Sequence, residues 1–170
     1  MQQALPEKSA LFSVQQIAPL LNLKTETLQS DLPIEVVSTG LSDLIIPVPL
    51  RLLDSIKPNP PLIKAFCKLY NIIGLHLFEL NKASDKISAS CRNFAPLVGI
   101  DEESATGSAC DALACYLYQH LKTEKFLFQQ GRSMGCSSLL RASVTAKNRK
   151  ISAVEVAGFA KLIRSEVIKL

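Results

Sequence analysis

The 170-residue chain contains no tryptophan, and its other aromatic residues are few: seven Phe and three Tyr. A core must therefore be built mainly from Leu, Ile, Val and Ala. No run of about 18 uncharged apolar residues occurs, which excludes a membrane-spanning helix. The N-terminal MQQALPEKSALFS lacks the basic segment and apolar run of a secretory signal. There is no Cys-x-x-Cys pair. Cys67, Cys91, Cys110, Cys115 and Cys136 are scattered among apolar or small neighbours, and His76 and His120 stand apart from any ligand-like spacing. Reduced thiols in a cytoplasmic protein are expected, with no zinc site. Nucleotide-binding glycine loops and the serine-hydrolase elbow are also absent. The stretch GRSMGCSS at 131–138 has no Lys where a phosphate loop requires one, and reads as a strand-to-strand loop.

What is present fits one globular domain over residues 1–170. Hydrophobic residues make up 48% and charged residues 20%, a balance that excludes disorder. Residues 1–121 carry a net charge of −3 and residues 122–170 a net of +7. A basic end can attract a polyanion. Here the charges are spread through alternating strands, with Lys147, Arg149 and Lys150 in a turn and few aromatics between them. Solvated strand faces are expected, and no nucleic-acid partner.

The hydrophobic pattern alternates between helix and strand. Ser13 is placed to cap a helix in which Val14, Ile17, Leu20 and Leu21 share a face. IEVVSTG and the run from Leu44 to Val48 read as paired strands joined around Gly40 and Ser42. A short helix is expected over 50–58, and another from Pro61 to about Leu69. GLHLFELN and ISASCRNF read as two half-buried strands. Residues 105–121, ATGSACDALACYLYQHL, have Asp111 as their one formal charge and small or apolar residues on every side, so this helix should be buried all round. KFLFQQG, LLRASVT and ISAVEVAG follow with period two, and IRSEVIKL reads as a final strand. The expectation is an α+β fold with roughly seven strands around one buried helix and minor helices outside.

The densest chemistry lies at residues 92–109. Asp101, Glu102 and Glu103 lead into Ser104-Ala105-Thr106-Gly107-Ser108, where the buried helix begins. A helix start offers unpaired backbone N–H groups and a positive dipole end. Thr106 and Ser108 add hydroxyls, and Gly107 lets a ligand approach the backbone. Together they suit a carboxylate or phosphate. The plain structural alternative is that Thr106 or Ser108 only caps the helix, with the acids favouring its positive end. Arg92 could pair with Asp101 or Glu103. Cys110, inside the helix, reads as a small core residue.

These residues carry a resemblance. Arg92, Phe94, Ala95, Pro96, Gly99, Ile100, Glu102 and the run Glu103 to Ala109 resemble the segment R-x-F-A-P-x-x-G-I-x-E-D-P-A-T-G-S-A of the phenazine-biosynthesis PhzF-like family, which has the diaminopimelate-epimerase-like fold. EVVSTGLSDLIIPV, FLFQQGRSMGCSSLL and VEVAGFAKLI resemble further family stretches in the same order. The resemblance implies two similar halves, each a barrel-like mixed sheet around one central helix, with the active site between them. It implies isomerisation or epimerisation of a small carboxylate by proton transfer, without cofactor or metal. The order of motifs identifies this chain with the C-terminal half. Nothing in its first 30 residues resembles the N-terminal half, with its catalytic Glu.

Carried over residue by residue, Gly107 and Ser108 would hold the substrate carboxylate, with Thr106 beside them, and Glu103 would orient or relay a proton. Two departures stand out. The family Asp-Pro is Glu103-Ser104 here, and the family Met-Gly-Arg is Met134-Gly135-Cys136. Ala105 occupies the place of the catalytic Cys of two-cysteine epimerases, so that chemistry is not implied. The expectation is a split or truncated isomerase domain, active only with an N-terminal half that lies on another chain or is missing from this sequence. The alternative is a stand-alone domain that binds an anion or self-associates as a homodimer.

Overall fold

In a computed structural model, the described residues are 4–159 and 164–167. Nine strands form one mixed sheet: β1 (Glu7–Phe12), β2 (Ile34–Ser38), β3 (Ser42–Pro47), β4 (Gly74–Leu80), β5 (Ala89–Ala95), β6 (Ile100–Glu103), β7 (Lys125–Gln130), β8 (Ser138–Lys147) and β9 (Lys150–Gly158). The helices are α1 (Val14–Ile17), α2 (Pro60–Tyr70) and α3 (Gly107–Leu121). Strand order is β1-β2-β3-β4-β5-β7-β8-β9, with β6 paired to β5. The pairs β3/β4 and β5/β7 are parallel; each needs a crossover, supplied by α2 and α3 respectively.

The helix α3 packs against β2 and β3 on one side and against β7, β8 and β9 on the other. A sheet can meet one helix from both sides only by curling round it, so the architecture is the expected half-barrel around a central helix. Residues 109–118 of α3 are all buried, including Asp111. Ala109, Ala112 and Ala114 allow the strands to approach closely. Inside the curl, α3 meets Val37, Ile45, Phe78, Cys91, Phe128 and Val154. On the convex side a second core joins Leu44, Ile46, Leu75, Leu77 and Phe94 to α2 and to the N-terminal turns, through Ile63, Cys67, Ile17 and Leu21.

Several expectations hold. Ser13 precedes α1, and its N–H donates to Gln16 Oε1 at 2.9 Å. The hairpin β2–β3 turns at Gly40, and α2 starts with Pro60 behind Asn59, whose side chain accepts from the Leu62 N–H. The β8–β9 turn places Asn148 and Arg149 at positive φ, as a tight hairpin requires.

Others are corrected. There are nine strands among the described residues rather than seven: β1 and β6 lack clear alternation. β4 and β5 are not half-buried but covered on both faces, since α3 lies on one side and α2 with the 50–56 segment on the other. Their polar residues are therefore buried. The helix expected over 50–58 is a single tight turn, Leu53–Ser55. The final strand expected at 163–170 is not formed by residues 164–167, which are exposed and irregular; its remaining positions lie outside the described residues.

Candidate functional site

Antiparallel pairing of Asn93 with Glu103 joins β6 to β5 and delivers residues 104–106 to the start of α3. Thr106 stands at the helix cap position, in extended conformation, yet its side chain does not cap. Its hydroxyl donates to Glu103 Oε2 at 2.8 Å and accepts from Gln130 Nε2 at 3.0 Å. Gln130 is fully buried, and the same Nε2 reaches the Glu103 carbonyl at 2.6 Å. Thr106 therefore does not satisfy the first-turn N–H groups, and no acid lies in the first turn of α3. The backbone donors of Gly107 and Ser108 are left without a capping side chain. Beside Ala105 a cavity of about 470 Å³ opens between Ser137, Ser138, Leu140 and Phe159.

Two loops are clamped around this point. Gly131 has φ +80°, and a Cβ there would strike the Cys136 carbonyl and come within 2.8 Å of Ser104 Cβ. The 131–136 turn thus lies directly on the Glu103–Thr106 segment. Arg132 fixes that turn from outside: Nη2 meets Glu79 Oε1 at 2.8 Å, Nε meets Asp54 Oδ2 at 2.9 Å, and Nη1 donates to Ser90 Oγ at 3.1 Å. Arg92 does not pair with Asp101 or Glu103, as sequence suggested. It forks onto Glu102, Nε and Nη2 each reaching a carboxylate oxygen at 2.8 Å, and Nη1 donates to the carbonyls of Leu53 and Ile56. Ser133 Oγ also donates to Glu102. Of the three adjacent acids, Glu102 is structural and Asp101 is exposed. Glu103 alone faces the helix start through Thr106.

Behind Glu103 lie polar groups that sequence reasoning passed over. Asp43 is 2% exposed, and its Oδ2 has no hydrogen-bond partner. Burial, with Glu103 adding to it, pushes its pKa up to about 7. His76 is fully buried, and its Nδ1 lies 3.1 Å from Asn93 Oδ1. Burial lowers its pKa to about 4, so it is neutral at neutral pH. Thr39 Oγ1 is also buried without a partner. The signal available was charge inside β-branched runs: Asp43 and His76 each interrupt an apolar strand. Cys110 lies near this cluster, and burial raises its pKa well above the usual thiol value, so it is no ready nucleophile. Among the described residues no group of three or more His, Cys, Asp or Glu side chains gathers as a metal site would need, and no helix is long and apolar enough to cross a membrane.

A mixed sheet curled as a half-barrel round one buried helix is the architecture of the epimerase-like fold class. Within that class the chain belongs to the phenazine biosynthesis-like protein family, whose model matches residues 2–165. It is 28% identical over 156 residues to an uncharacterized isomerase of Clostridium acetobutylicum, covering 87% of this chain and 52% of that protein. It is 29% identical over 159 residues to an uncharacterized isomerase of Deinococcus radiodurans, covering 89% and 51%. A shorter match, 36% over 70 residues, covers 39% of this chain and 25% of the trans-2,3-dihydro-3-hydroxyanthranilate isomerase of Pseudomonas aeruginosa. Among solved structures, a phenazine biosynthesis protein of the PhzF family from Bacillus anthracis superposes with a TM-score of 0.82 at 24% identity, over 93% of this chain and 56% of that one.

The chain spans about half the length of the curated relatives it matches. The match nevertheless corrects the expectation drawn from motif order. The family model spans residues 2–165, so the first 30 residues, read as unlike the N-terminal half, fall inside a single match with the rest of the chain. Structure explains why: β1 pairs with β2, and Ile17, Leu20, Leu21 and Leu28 belong to the convex core. The reading of the chain as a C-terminal half only, split or truncated and dependent on a separate N-terminal half, is set aside by a match that covers nearly the whole chain.

Proposed function

We propose that the chain works as an isomerase that holds the carboxylate of a small organic acid at the start of α3 and moves a proton on the adjoining carbon. Removing a proton next to a carboxylate builds negative charge, and backbone N–H groups fixed at a helix start stabilise that charge without reorganising. Gly107 and Ser108 supply the N–H groups, and the Ser108 hydroxyl a further donor. Glu103, in hydrogen-bond contact with Thr106, orients the acid or relays the proton. The observation that carries this reading is the Thr106 hydroxyl, turned away from the helix to bridge Glu103 and Gln130.

The P. aeruginosa relative is named for a substrate with a carboxylate on a six-membered ring, so ring carboxylates are the first class to test. Benzoate titrated into the protein should shift the Gly107 and Ser108 amide resonances. Ser108→Pro, tolerated in a first helical turn, should abolish that binding. Incubating the protein in heavy water with cyclic carboxylic acids should label the carbon beside the carboxylate. Amide shifts that leave the α3 start untouched, together with no label on any acid, reject the proposal.

A further inference from the structure

The inner face of the sheet carries more polar groups at the Glu103 end than the reading above uses. Val37, Ile45 and Phe78 pack on α3, while Leu44, Ile46, Leu75 and Leu77 pack on the convex side. Alternation then puts Asp43, two residues before Ile45, and His76, two before Phe78, on the α3 face. Asp43 sits opposite Val37 on β2 and Gly74 on β4. Asn93, paired across from both His76 and Glu103, continues the same row. Three buried polar atoms in this region lack a partner: Thr39 Oγ1, Asp43 Oδ2 and His76 Nε2. A folded protein rarely leaves such atoms unpaired without a role for them.

We propose that Asp43 is a positioning residue of the carboxylate site, a buried acid behind Glu103 that must carry its proton for an anionic substrate to bind. The proposal rests on the carboxylate reading and extends it. Two carboxylates already meet when a substrate anion enters beside Glu103. A third negative charge in a poorly solvated recess would repel both.

The other titratable groups facing Asp43 do not offset that charge. His76 on β4 is neutral, because burial lowers its pKa to about 4. Cys67 on α2 is held protonated by burial and by Asp43 itself, which raise its pKa to about 11. Cys110 on α3 is likewise held as a thiol. Its neighbour Asp111, buried with both carboxylate oxygens unpartnered, is a second acid that burial raises to about 7, and it brings no positive charge. Asp111→Asn is therefore measured beside Asp43→Asn and must leave the fall in affinity in place. Val37 and Gly74 bring no charge. Glu103 on β6 is the charged group that acts on Asp43, and it favours the neutral form. Since the Asp43 midpoint in the folded protein lies near 7, the site is competent below that pH and loses affinity as pH rises through it.

The test is benzoate affinity, measured by amide shifts from pH 5.5 to pH 8.5, in the protein and in Asp43→Asn. The expected result is a weakening of about tenfold across neutral pH, the order set by one added like charge nearby, and no such weakening in Asp43→Asn. A flat profile in the unaltered protein, or the same fall in Asp43→Asn, overturns the proposal. Carbon-detected titration of the Asp43 carboxyl gives a readout independent of ligand. Its midpoint should fall towards the ordinary Asp range in Glu103→Gln, and an unmoved midpoint also overturns the proposal. If benzoate binds at no pH, the carboxylate reading fails by itself, and the Glu103→Gln titration alone supports or overturns the pairing of the two acids.

Discussion

Replacing Arg92 with Met tests how the site strand is anchored. The Arg92 side chain is 8% exposed, and it serves three acceptors: the Glu102 carboxylate, the Leu53 carbonyl at 3.1 Å and the Ile56 carbonyl at 2.7 Å. Its guanidinium also lies 4.9 Å from the Phe94 ring centroid. Met fills similar volume and keeps the apolar stem, so the cavity cost is small. What is lost is charge compensation and hydrogen bonding. Removing one partner of a fully buried ion pair costs about 3–5 kcal/mol. Glu102 is 18% exposed and keeps the Ser133 hydroxyl, so its share is smaller. The two carbonyls lose their donor and add to the cost. A net loss of about 2–4 kcal/mol follows. With a urea dependence of about 2 kcal/mol per molar, the unfolding midpoint should fall by about 1–2 M. The double variant Arg92→Met/Glu102→Leu should regain part of this loss, because no unpaired charge remains. A single-variant loss below about 1 kcal/mol, no larger than for an exposed pair, would refute the reasoning.

Three further outcomes are expected. Gly131→Ala should lose about 2–3 kcal/mol in urea unfolding, since Ala is strained at φ +80° and its Cβ meets Ser104 and the Cys136 carbonyl. Gln130→Leu removes the donor shared by Thr106 and the Glu103 carbonyl; it should cost about 1–3 kcal/mol and weaken benzoate binding by freeing the Thr106 hydroxyl to cap the helix. His76 contributes a pH dependence whose sign follows from its lowered pKa of about 4. The stability tied to its neutral form is complete above the unfolded value near 6.5 and is lost as pH falls towards 4, by at most about 3 kcal/mol. The stability difference between the protein and His76→Gln, measured by urea unfolding across that range, should therefore shrink on acidification. A constant difference counts against burial as the cause.

The long-period features of the fold were legible in the sequence. Residues 105–121 showed no polar face, which can only mean burial on all sides, and α3 is so buried. The sheet it occupies followed from the alternating runs. What could not be read was which faces a second layer covers. Alternation in GLHLFEL and ASCRNFA looked half-exposed, because His76, Glu79, Arg92 and Asn93 are polar. Each instead finds a partner from a distant segment: Glu79 from Arg132, Arg92 from Glu102, His76 from Asn93. One-dimensional periodicity cannot tell a solvated polar residue from a buried, paired one. The same limit hid Asp43, whose surroundings come from β2, β4, β6 and α3 together. The cluster Glu103, Thr106, Gly107 and Ser108 was legible because its parts are consecutive. That Thr106 would turn to Glu103 rather than cap the helix depended on Gln130, 24 residues further on.

Consecutive residues on β5 explain how a 4-residue strand such as β6 can hold Glu103 in place. Arg92 points to the convex side and ties β6 through Glu102 to the 53–56 turn. Asn93 points inward and meets His76. Each residue has a counterpart on β4, where Glu79 faces outward to Arg132 and His76 faces inward. The outer set carries full charges and fixes loops from outside the half-barrel. The inner set holds a neutral His76 and, beside it, an Asp43 whose pKa is pushed up to about 7, because burial penalises ionisation there. Substitutions on the outer face should therefore change stability more than pH dependence. Substitutions on the inner face should do the reverse, and Arg132→Met set against Asp43→Asn, each followed by unfolding and by benzoate affinity across pH, separates the two.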